Sequence, residues 1–332
     1  MDGSIKRSGE DRIIAHYFAP LAGPAGLALK DDAALMVPPP DTDFVITVDT
    51  VVAGVHFFKD DPAQSIAEKA LGVNLSDLAA KGAQPLGFVL ALSLPDDWRE
   101  DWLAQFADGL GKAAEKGACP LLGGDTTRTS GPLTISITVF GAVPKGKMVR
   151  RTTAQPGDVI AVSGTIGDAV LGLKIRSAPE REWAGGLSEK DYAHLLGRYL
   201  RPQPRLMLIE ALREHASASM DVSDGLIGDC AKLLAASGVS GELRVESVPL
   251  SAAAHAAIGF NPGLLADAVT GGDDYEILFT LHPDHVSAMK EAARLASCPI
   301  TVIGEVTAGT EPLTVTHRGE TFLTRSGSFS HF

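Results

Sequence analysis

The fold is decided by the stretch Leu121-Leu122-Gly123-Gly124-Asp125-Thr126-Thr127-Arg128. A helical pattern ending at Gly117 and a short apolar strand signal at residues 120–122 come before it. Two glycines and the carboxylate of Asp125 are therefore predicted to form a turn just past the carboxyl end of a strand, where open α/β sheets bind ligands. Glycine lets backbone N–H groups approach an anion, and Asp125 would hold a cation that in turn holds a phosphate. Because Gly-Gly-Asp is also common in ordinary turns, the stretch taken alone favours an ordinary turn.

The composition indicates a folded, acidic protein. The chain has 332 residues, of which 45% are apolar and 21% charged, enough for a sizeable core and for two domains. The formal net charge is −12 without basic clusters, which argues against nucleic acid or an anionic membrane as a general partner. Cys119, Cys230 and Cys298 lack paired spacing and are predicted to be buried thiols of a reducing cytosol. No run reaches the roughly 18 apolar residues of a membrane span, so a soluble cytoplasmic protein is predicted.

Strands and helices alternate along the whole chain, which predicts an α/β (α+β) fold. The first predicted helix is capped by Ser8, runs through Phe18 and stops before Pro20, and another begins in the glycine-rich segment 164–168. The other predicted helices cover residues 62–79, 98–116, 189–200, 205–214, 226–236 and 285–296. The predicted strands cover residues 27–29, 44–50, 85–94, 133–143, 159–163, 219–221, 277–281, 300–304 and 313–316. A break at residues 144–147 places the domain boundary near residue 147, giving domains 1–147 and 148–332.

Aspartate recurs at six loop or helix positions. They are Asp31/Asp32, Asp49, Asp77, Asp125, Asp221/Asp224 and Asp273/Asp274. If these carboxylates converge, each bare pair about 4 Å apart repels by roughly 1 to 4 kcal/mol, and hard divalent cations would turn that cost into binding. Magnesium typically uses one or two carboxylates per ion, so the set predicts several ions along a polyphosphate. Without convergence, each aspartate is a turn or cap residue.

Two of the candidate residues have equally ordinary explanations. His56 stands between apolar residues, a setting that favours a half-buried structural histidine over a catalyst. Asp77 lies near the apolar stripe of its helix and suits a metal, but Lys81 four residues later offers an ion pair, and both interpretations stay open.

Familiar catalytic motifs are missing from the sequence. It contains no Gly-x-x-x-x-Gly-Lys-Ser/Thr loop and no Gly-x-Gly-x-x-Gly after a first strand. It also lacks zinc-type His and Cys spacing, a Gly-x-Ser-x-Gly elbow and protein-kinase signatures. The aspartate positions therefore remain the main candidates for chemistry.

Six motifs together resemble a known family. They are Asp31-Asp32-Ala33-Ala34, Val48-Asp49-Thr50 with Gly54-Val55-His56-Phe57, Asn74-Leu75-Ser76-Asp77-Leu78-Ala79, Gly123-Gly124-Asp125-Thr126-Thr127, Asp221-Val222-Ser223-Asp224-Gly225-Leu226 and Gly271-Gly272-Asp273-Asp274-Tyr275-Glu276. Their order and spacing over nearly the whole chain, ending in Ser330-His331-Phe332, resemble thiamine-monophosphate kinase, a family of the aminoimidazole ribonucleotide synthetase-like ATP-binding superfamily. The resemblance implies that ATP phosphorylates thiamine phosphate to thiamine diphosphate. It also implies a homodimer whose amino-terminal, ATP- and magnesium-binding domains pair their sheets, with a carboxyl-terminal domain that completes the active site.

The resemblance also implies roles for individual residues. Magnesium would be held by Asp32, Thr47, the Val48 carbonyl, Asp49, Asp77, Asp125, Asp221 and, as a further site, Asp224. ATP would contact Gly124, Asp125, Arg151 and Ser223, with Asp125 and Arg151 in the catalytic roles. Thiamine phosphate would contact His56, Asp273 and Phe329. The sequence departs from the family at Lys30, where glycine is frequent, and at Asp273, where glutamate is common.

The implied reaction agrees with the absence of an obvious general base. A phosphate monoester has a second pKa near roughly 6, so the acceptor oxygen is already anionic at neutral pH. Catalysis would rest on metal ions and on Arg151 as a bidentate phosphate ligand. Two alternatives stay open: another ATP-using enzyme of the same superfamily, such as a ligase-type ring synthetase, and a non-catalytic nucleotide or metal sensor. His56 and the Gly272-Asp273 segment favour a second substrate pocket and hence an enzyme.

Overall fold

The computed structural model describes residues 9–323. Phe329, predicted to contact the substrate, lies outside these residues. Contacts within the chain divide it into two compact units. The first unit comprises Met1–Leu75 and Gln84–Lys145, and the second comprises Ser76–Ala83 and Gly146–Phe332.

The first unit is built on a mixed four-stranded sheet. Its strands are β1 (Thr42–Val52), β2 (Gln84–Pro95), β3 (Leu121–Thr129) and β4 (Thr134–Pro144). The order is β1-β4-β2-β3, with β2 and β3 parallel and the other neighbours antiparallel. Strands β1, β2 and β4 confirm the predicted strands.

Helices supply the other half of the first unit's core. They are α1 (Gly9–Ile13), which continues as a π-helical turn at Ile14–Phe18, α2 (Ala63–Ala80), whose last turn belongs to the second unit, and α3 (Glu100–Lys116). Helix α3 carries Leu103, Phe106 and Leu110 at the three- and four-residue spacing of one apolar face, and all three are fully buried. On β4, alternate residues such as Ile135 and Ile137 are buried in the same way.

The predicted strand at residues 27–29 is wrong. These residues end a 3-10 helix, Pro24–Leu29, in which Leu27, Ala28 and Leu29 have φ values of 50°, 57° and 54°. The amide of Gly23 donates to the Leu121 carbonyl at 2.9 Å, and a side chain on Gly26 would meet the Leu122 carbonyl at 2.8 Å. Because the segment packs this closely on the start of β3, it curls over that strand and cannot pair in extended form.

The turn predicted at Gly123-Gly124-Asp125 is also wrong, because β3 runs straight through it. Gly124 pairs with Leu90 and Asp125 with Ala91 in the parallel register of β2 and β3. A Cβ atom on Gly124 would lie 2.0 Å from the Leu90 carbonyl oxygen. Glycine here permits a close approach of two strands, and the conformation stays extended.

The second unit contains a seven-stranded sheet. Its strands are β5 (Val159–Ser163), β6 (Ala218–Asp221), β7 (Ser240–Arg244), β8 (Ile277–Leu281), β9 (Ile300–Thr307), β10 (Thr314–His317) and β11 (Glu320–Thr321). Their order is β11-β10-β7-β9-β5-β8-β6, and only the β10–β7 pair among them is parallel. Strands β5 and β8 begin and end at the predicted residues.

Eight helices of the second unit accompany this sheet within the described residues. They are α4 (Asp168–Ser177), α5 (Glu182–Gly185), α6 (Glu189–Leu200), α7 (Ile209–His215), α8 (Leu226–Ser237), α9 (Ala252–Phe260), α10 (Leu264–Thr270) and α11 (Val286–Leu295). Helix α6 matches its predicted bounds. Strand β7 and helices α9 and α10 were not predicted, because alanine fills the buried face of α9 and the strand carries glycine and charged residues.

The structure thus confirms a mixed α/β composition with two mixed sheets. No helix within residues 9–323 has the length and apolarity needed to cross a bilayer. All three cysteines are free and buried, as predicted.

Candidate active site

A cavity of about 360 Å³ in the first unit brings together three of the predicted site residues, Asp32, Gly124 and Asp125. Its walls are formed by Ile14, Phe18, Gly26, Leu29, Asp31, Asp32, Ala33, Ala34, Val89, Leu90, Leu121, Leu122, Gly123, Gly124, Asp125 and Thr126. The 3-10 helix carries Asp31 and Asp32 to this place, since it packs on the start of β3. The amide of Asp32 donates to Asp31 Oδ1 at 2.8 Å, which fixes the turn between them.

The lining of this cavity combines two kinds of surface. Ile14, Phe18 and Leu29 are apolar, whereas Asp32 and Asp125 present carboxylates. Carboxylate oxygens are the ligands that magnesium prefers, and apolar walls accommodate a flat organic ring. The cavity can therefore accept a nucleotide whose phosphates arrive with cations.

Strand β1 presents two different faces. Val45 and Val51 are buried on one face, and Thr47 and Asp49 are half-buried between them. The opposite face exposes Val48 and its apolar neighbours. Residues 47–49 do not line the cavity, so the structure does not bring these predicted ligands together with Asp32 and Asp125 there.

His56 is half-buried in a turn that follows β1, as the structural interpretation predicts. Its Nδ1 accepts a hydrogen bond from the Val52 amide at 3.0 Å, so the neutral ring carries its proton on Nε2. The Lys69 ammonium donates to the His56 carbonyl at 3.1 Å, and Lys69 is only 3% exposed. Sequence reasoning missed Lys69, a buried cation on α2 whose only local signal is its place within an apolar stripe. The Val52 amide therefore orients the imidazole, and Lys69 restrains the backbone that carries it.

Four charged residues act on one another in the second unit. Lys81 Nζ donates to the Ser219 carbonyl oxygen, and the charges of Asp77, Asp221 and Arg151 all act on it. Burial lowers the pKa of Lys81, although the Asp221 and Asp77 charges oppose that shift. Burial, followed by the charge of Asp77, raises the pKa of Asp221 to about 8. Lys81 therefore places a positive charge near both carboxylates, and a divalent cation would relieve the repulsion between Asp77 and Asp221.

The loop after β6 is held by a residue that sequence reasoning missed. Asp229 Oδ2 accepts hydrogen bonds from the amides of Ser223 at 3.0 Å and of Asp224 at 2.9 Å. Lys232 Nζ bridges Asp229 Oδ1 at 3.0 Å and Asp224 Oδ2 at 2.5 Å. Burial raises the pKa of Asp229. Since Asp229 engages both amides, they are already occupied, and the side chain of Ser223 remains as the candidate phosphate contact of this loop.

The loop before β8 lies directly against the loop after β6. The amide of Asp273 donates to the Ser223 carbonyl at 2.9 Å, and that of Tyr275 donates to the Val222 carbonyl at 2.9 Å. A Cβ atom on Gly272 would lie 2.2 Å from the Ser223 carbonyl oxygen. The structure thus brings together Ser223, implied in ATP binding, and Asp273, implied in thiamine phosphate binding.

The predicted metal ligands fit a hard cation chemically. Asp32, Thr47, Asp49 and Asp125 belong to the first unit, and Asp77, Asp221 and Asp224 to the second. Within residues 9–323, no three His, Cys, Asp or Glu side chains form a ready metal group. Magnesium uses few protein ligands per ion and keeps waters for phosphate oxygens, so paired carboxylates such as Asp77 and Asp221 match its needs.

Comparisons with known proteins identify the family of this chain. Residues 30–143 match the family "AIR synthase related protein, N-terminal domain", and residues 155–315 match its C-terminal domain. The thiamine-monophosphate kinase of Caulobacter vibrioides is 42% identical over 304 residues, covering 89% of this chain and 83% of that protein. The chain belongs to the thiamine-monophosphate kinase family.

Two solved structures of the thiamine-monophosphate kinase family share the fold. The enzyme of Stenotrophomonas maltophilia is 41% identical with a TM-score of 0.80, over 89% of this chain and 91% of that one. The structure described as "AaThiL complexed with AMPPCP and TMP" is 30% identical with a TM-score of 0.78, over 91% of each chain.

Proposed function

We propose that this protein transfers the γ-phosphoryl group of ATP to the phosphate of thiamine monophosphate, forming thiamine diphosphate. The observation that carries the proposal is the backbone pairing of residues 222–223 with residues 273–275. The family resemblance assigns a nucleotide contact, Ser223, to one of these loops and an acceptor contact, Asp273, to the other. The family relationship and a relative complexed with AMPPCP and TMP support the same reaction.

The reaction needs positioning more than acid–base chemistry. The acceptor phosphate is anionic at neutral pH because its second pKa is near roughly 6. Arg151 provides a planar, bidentate donor for phosphate oxygens. Magnesium held by the aspartates named below would supply positive charge that neutralises the phosphate oxygens.

The residues of each unit have separate tasks in this proposal. In the first unit, ATP would contact Gly124 and Asp125, and thiamine phosphate would contact His56. In the second unit, ATP would contact Arg151 and Ser223, and thiamine phosphate would contact Asp273. Magnesium would be held in the first unit by Asp32, Thr47, the Val48 carbonyl, Asp49 and Asp125, and in the second by Asp77, Asp221 and Asp224. The apolar cavity walls and the exposed carboxylate of Asp125 support the roles of Asp32, Gly124 and Asp125. The raised pKa of Asp221 beside Asp77 supports the magnesium ligands of the second unit.

The proposal includes a homodimer and a reducing, cytoplasmic setting. Phe44, Ile46 and Val48 lie on one face of the edge strand β1 and are 47%, 61% and 59% exposed. An edge strand with an exposed apolar face is suited to pairing with a second copy. The three free, buried cysteines agree with the proposed compartment.

The test is to incubate the protein with ATP, magnesium and either thiamine monophosphate or free thiamine, and to identify the products by mass. Thiamine diphosphate formed from the monophosphate only is the expected result. If ATP raises the melting temperature but neither compound is phosphorylated, the nucleotide site stands and the acceptor assignment, with His56 and Asp273, is wrong.

A further inference from the structure

A buried carboxylate outside the proposed substrate contacts has an unusual number of partners. Glu276 is fully buried and accepts hydrogen bonds from Arg198 Nη2 at 2.8 Å and from Arg205 Nε at 2.7 Å. Arg205 Nη2 donates to it as well, which makes that pair bidentate. The hydroxyl of Ser163 donates to the second carboxylate oxygen at 2.6 Å. Such a charge is tolerated in the interior only because its partners are charged and correctly oriented.

The same network reaches the main chain around Glu276. Arg198 Nη2 also donates to the Asp274 carbonyl at 3.2 Å, and Ser163 Oγ accepts the Ile277 amide at 2.8 Å. The Asp274 carboxylate, also buried, accepts the amides at the start of α4, including that of Gly167 at 2.7 Å. Residues 274 and 276 are therefore anchored in the interior by their side chains.

Between and beside these anchors the backbone is strained. Asp273 has a φ of 75° and Tyr275 a φ of 51°, in the left-handed region that residues with side chains seldom adopt. Such conformations persist only where the surrounding structure holds them. The anchored side chains of Asp274 and Glu276 provide that restraint.

We propose that Glu276, held by Ser163, Arg198 and Arg205, is a positioning residue that sets the direction of the Asp273 carboxylate toward the acceptor substrate. The inference rests on the proposed function, in which Asp273 contacts thiamine phosphate.

The loop of Ser223 has a second restraint that the segment of Asp273 lacks. Backbone bonds join the two loops, and the Val222 amide donates to the Glu276 carbonyl at 2.8 Å, but the Ser223 amide is also bonded to Asp229 at 3.0 Å. Loosening the Glu276 network frees the segment of Asp273, whereas Asp229 still holds the loop of Ser223. Weakening the Glu276 network should therefore impair binding of thiamine phosphate more than binding of ATP.

The test begins with Ser163→Ala, which removes one hydrogen bond to Glu276 and the acceptor of the Ile277 amide while leaving both arginines in place. We expect the KM for thiamine monophosphate to rise about three- to tenfold, with the KM for ATP within about twofold of wild type. In an Asp273→Asn background, Ser163→Ala should add no further rise, because both changes remove the same contact. Arg205→Lys, which keeps the charge and loses the bidentate pair, should reproduce the pattern if Ser163→Ala does not fold.

Ile175→Val is the control, since it removes one methyl group from a fully buried position in the same unit without removing a hydrogen bond. It should leave both KM values unchanged. The positioning role would be overturned if Ser163→Ala raised the KM values for both substrates equally, or if the effects of Ser163→Ala and Asp273→Asn multiplied in the double variant. Turnover by the wild type would still uphold the kinase activity in either case. A wild-type protein that forms no thiamine diphosphate would remove the proposed function and the inference together.

Discussion

The chain contains Gly-Gly-Asp twice, at residues 123–125 and 271–273, and the two copies fold differently. The first lies inside strand β3, and the second lies in an irregular loop between α10 and β8. In both, one glycine faces a carbonyl oxygen that a Cβ would strike, at 2.0 Å from Leu90 for Gly124 and at 2.2 Å from Ser223 for Gly272. None of these four glycines has a positive φ. Glycine is therefore needed in both places for close approach of backbone, and the tripeptide does not imply a turn.

The two aspartates are consequently held by different means. Asp125 takes its direction from the hydrogen-bond register of β3 with β2. Asp273 takes its direction from a strained backbone fixed by the buried side chains of Asp274 and Glu276. A sheet register is insensitive to one distant side chain, whereas a side-chain network can be weakened piece by piece.

The largest expected effect comes from Gly124→Ala. The new methyl group would overlap the Leu90 carbonyl, and separating β2 from β3 should cost about 3 kcal/mol or more in the free energy of unfolding. Thermal melting would measure it as a loss of several degrees. Gly123→Ala is the matched control, because nothing lies within 4 Å of its Cβ position. Equal melting temperatures for the two variants would refute the close-approach explanation.

The next effect separates the two aspartates by kinetics. Asp125→Asn keeps the shape of the side chain and removes its charge, so we expect kcat to fall about 10²- to 10³-fold with little change in melting temperature. Asp273→Asn should instead raise the KM for thiamine monophosphate with a smaller change in kcat. Steady-state rates at saturating magnesium would show both. A near wild-type rate for Asp125→Asn would contradict its role.

Gly272→Ala should have an intermediate effect. The methyl group would push the Asp273 loop away from Ser223, at a cost of about 1–3 kcal/mol in the free energy of unfolding and a rise in the KM for thiamine monophosphate. A loop can shift more readily than a central pair of strands, so this loss should be smaller than that of Gly124→Ala. Gly259→Ala in α9, with open space at its Cβ position, serves as the control for melting and kinetics. A loss as large as that of Gly124→Ala would remove the distinction between loop and sheet.

The smallest expected effect is a dependence of the melting temperature on pH that is caused by Asp221 in the second unit. The folded-state pKa of Asp221, about 8, lies above its ordinary value of 3.8, so folding favours the protonated form. Its contribution to stability is full below pH 3.8 and is lost as the pH rises through about 8. The metal-free wild type should therefore lose melting temperature progressively between about pH 5 and pH 8, with little further change above that, and Asp221→Asn should lose less. Parallel melting curves for the two proteins over that range would contradict the burial of an unfavourable charge.

Local sequence patterns predict most of the strands and helices but few of the contacts that hold the site residues in place. Strands β5 and β8 and helix α6 could be placed from β-branched runs and apolar periodicity, which are properties of neighbouring residues. The extended conformation of the Gly123-Gly124 segment could not be predicted in this way, because the residue that requires glycine there, Leu90, lies on the neighbouring strand. The bonds of Glu276 to Arg198 and Arg205 join residues 78 and 71 positions apart, a distance no local pattern spans. Lys69, Asp229 and Lys232 were missed for a different reason: their partners are near in sequence, but side-chain bonds to a turn leave no apolar period to detect.

The contact of Lys232 with Asp224 changes what an affinity measured at this loop would mean. Lys232 supplies Asp224 with an internal counter-ion, and Asp229 shares it. A magnesium ion that binds Asp224 must displace this ammonium group or accept it as a neighbour. Titration of the loop would then report an exchange of cations, and the apparent dissociation constant would include the energy of the ion pair that is broken.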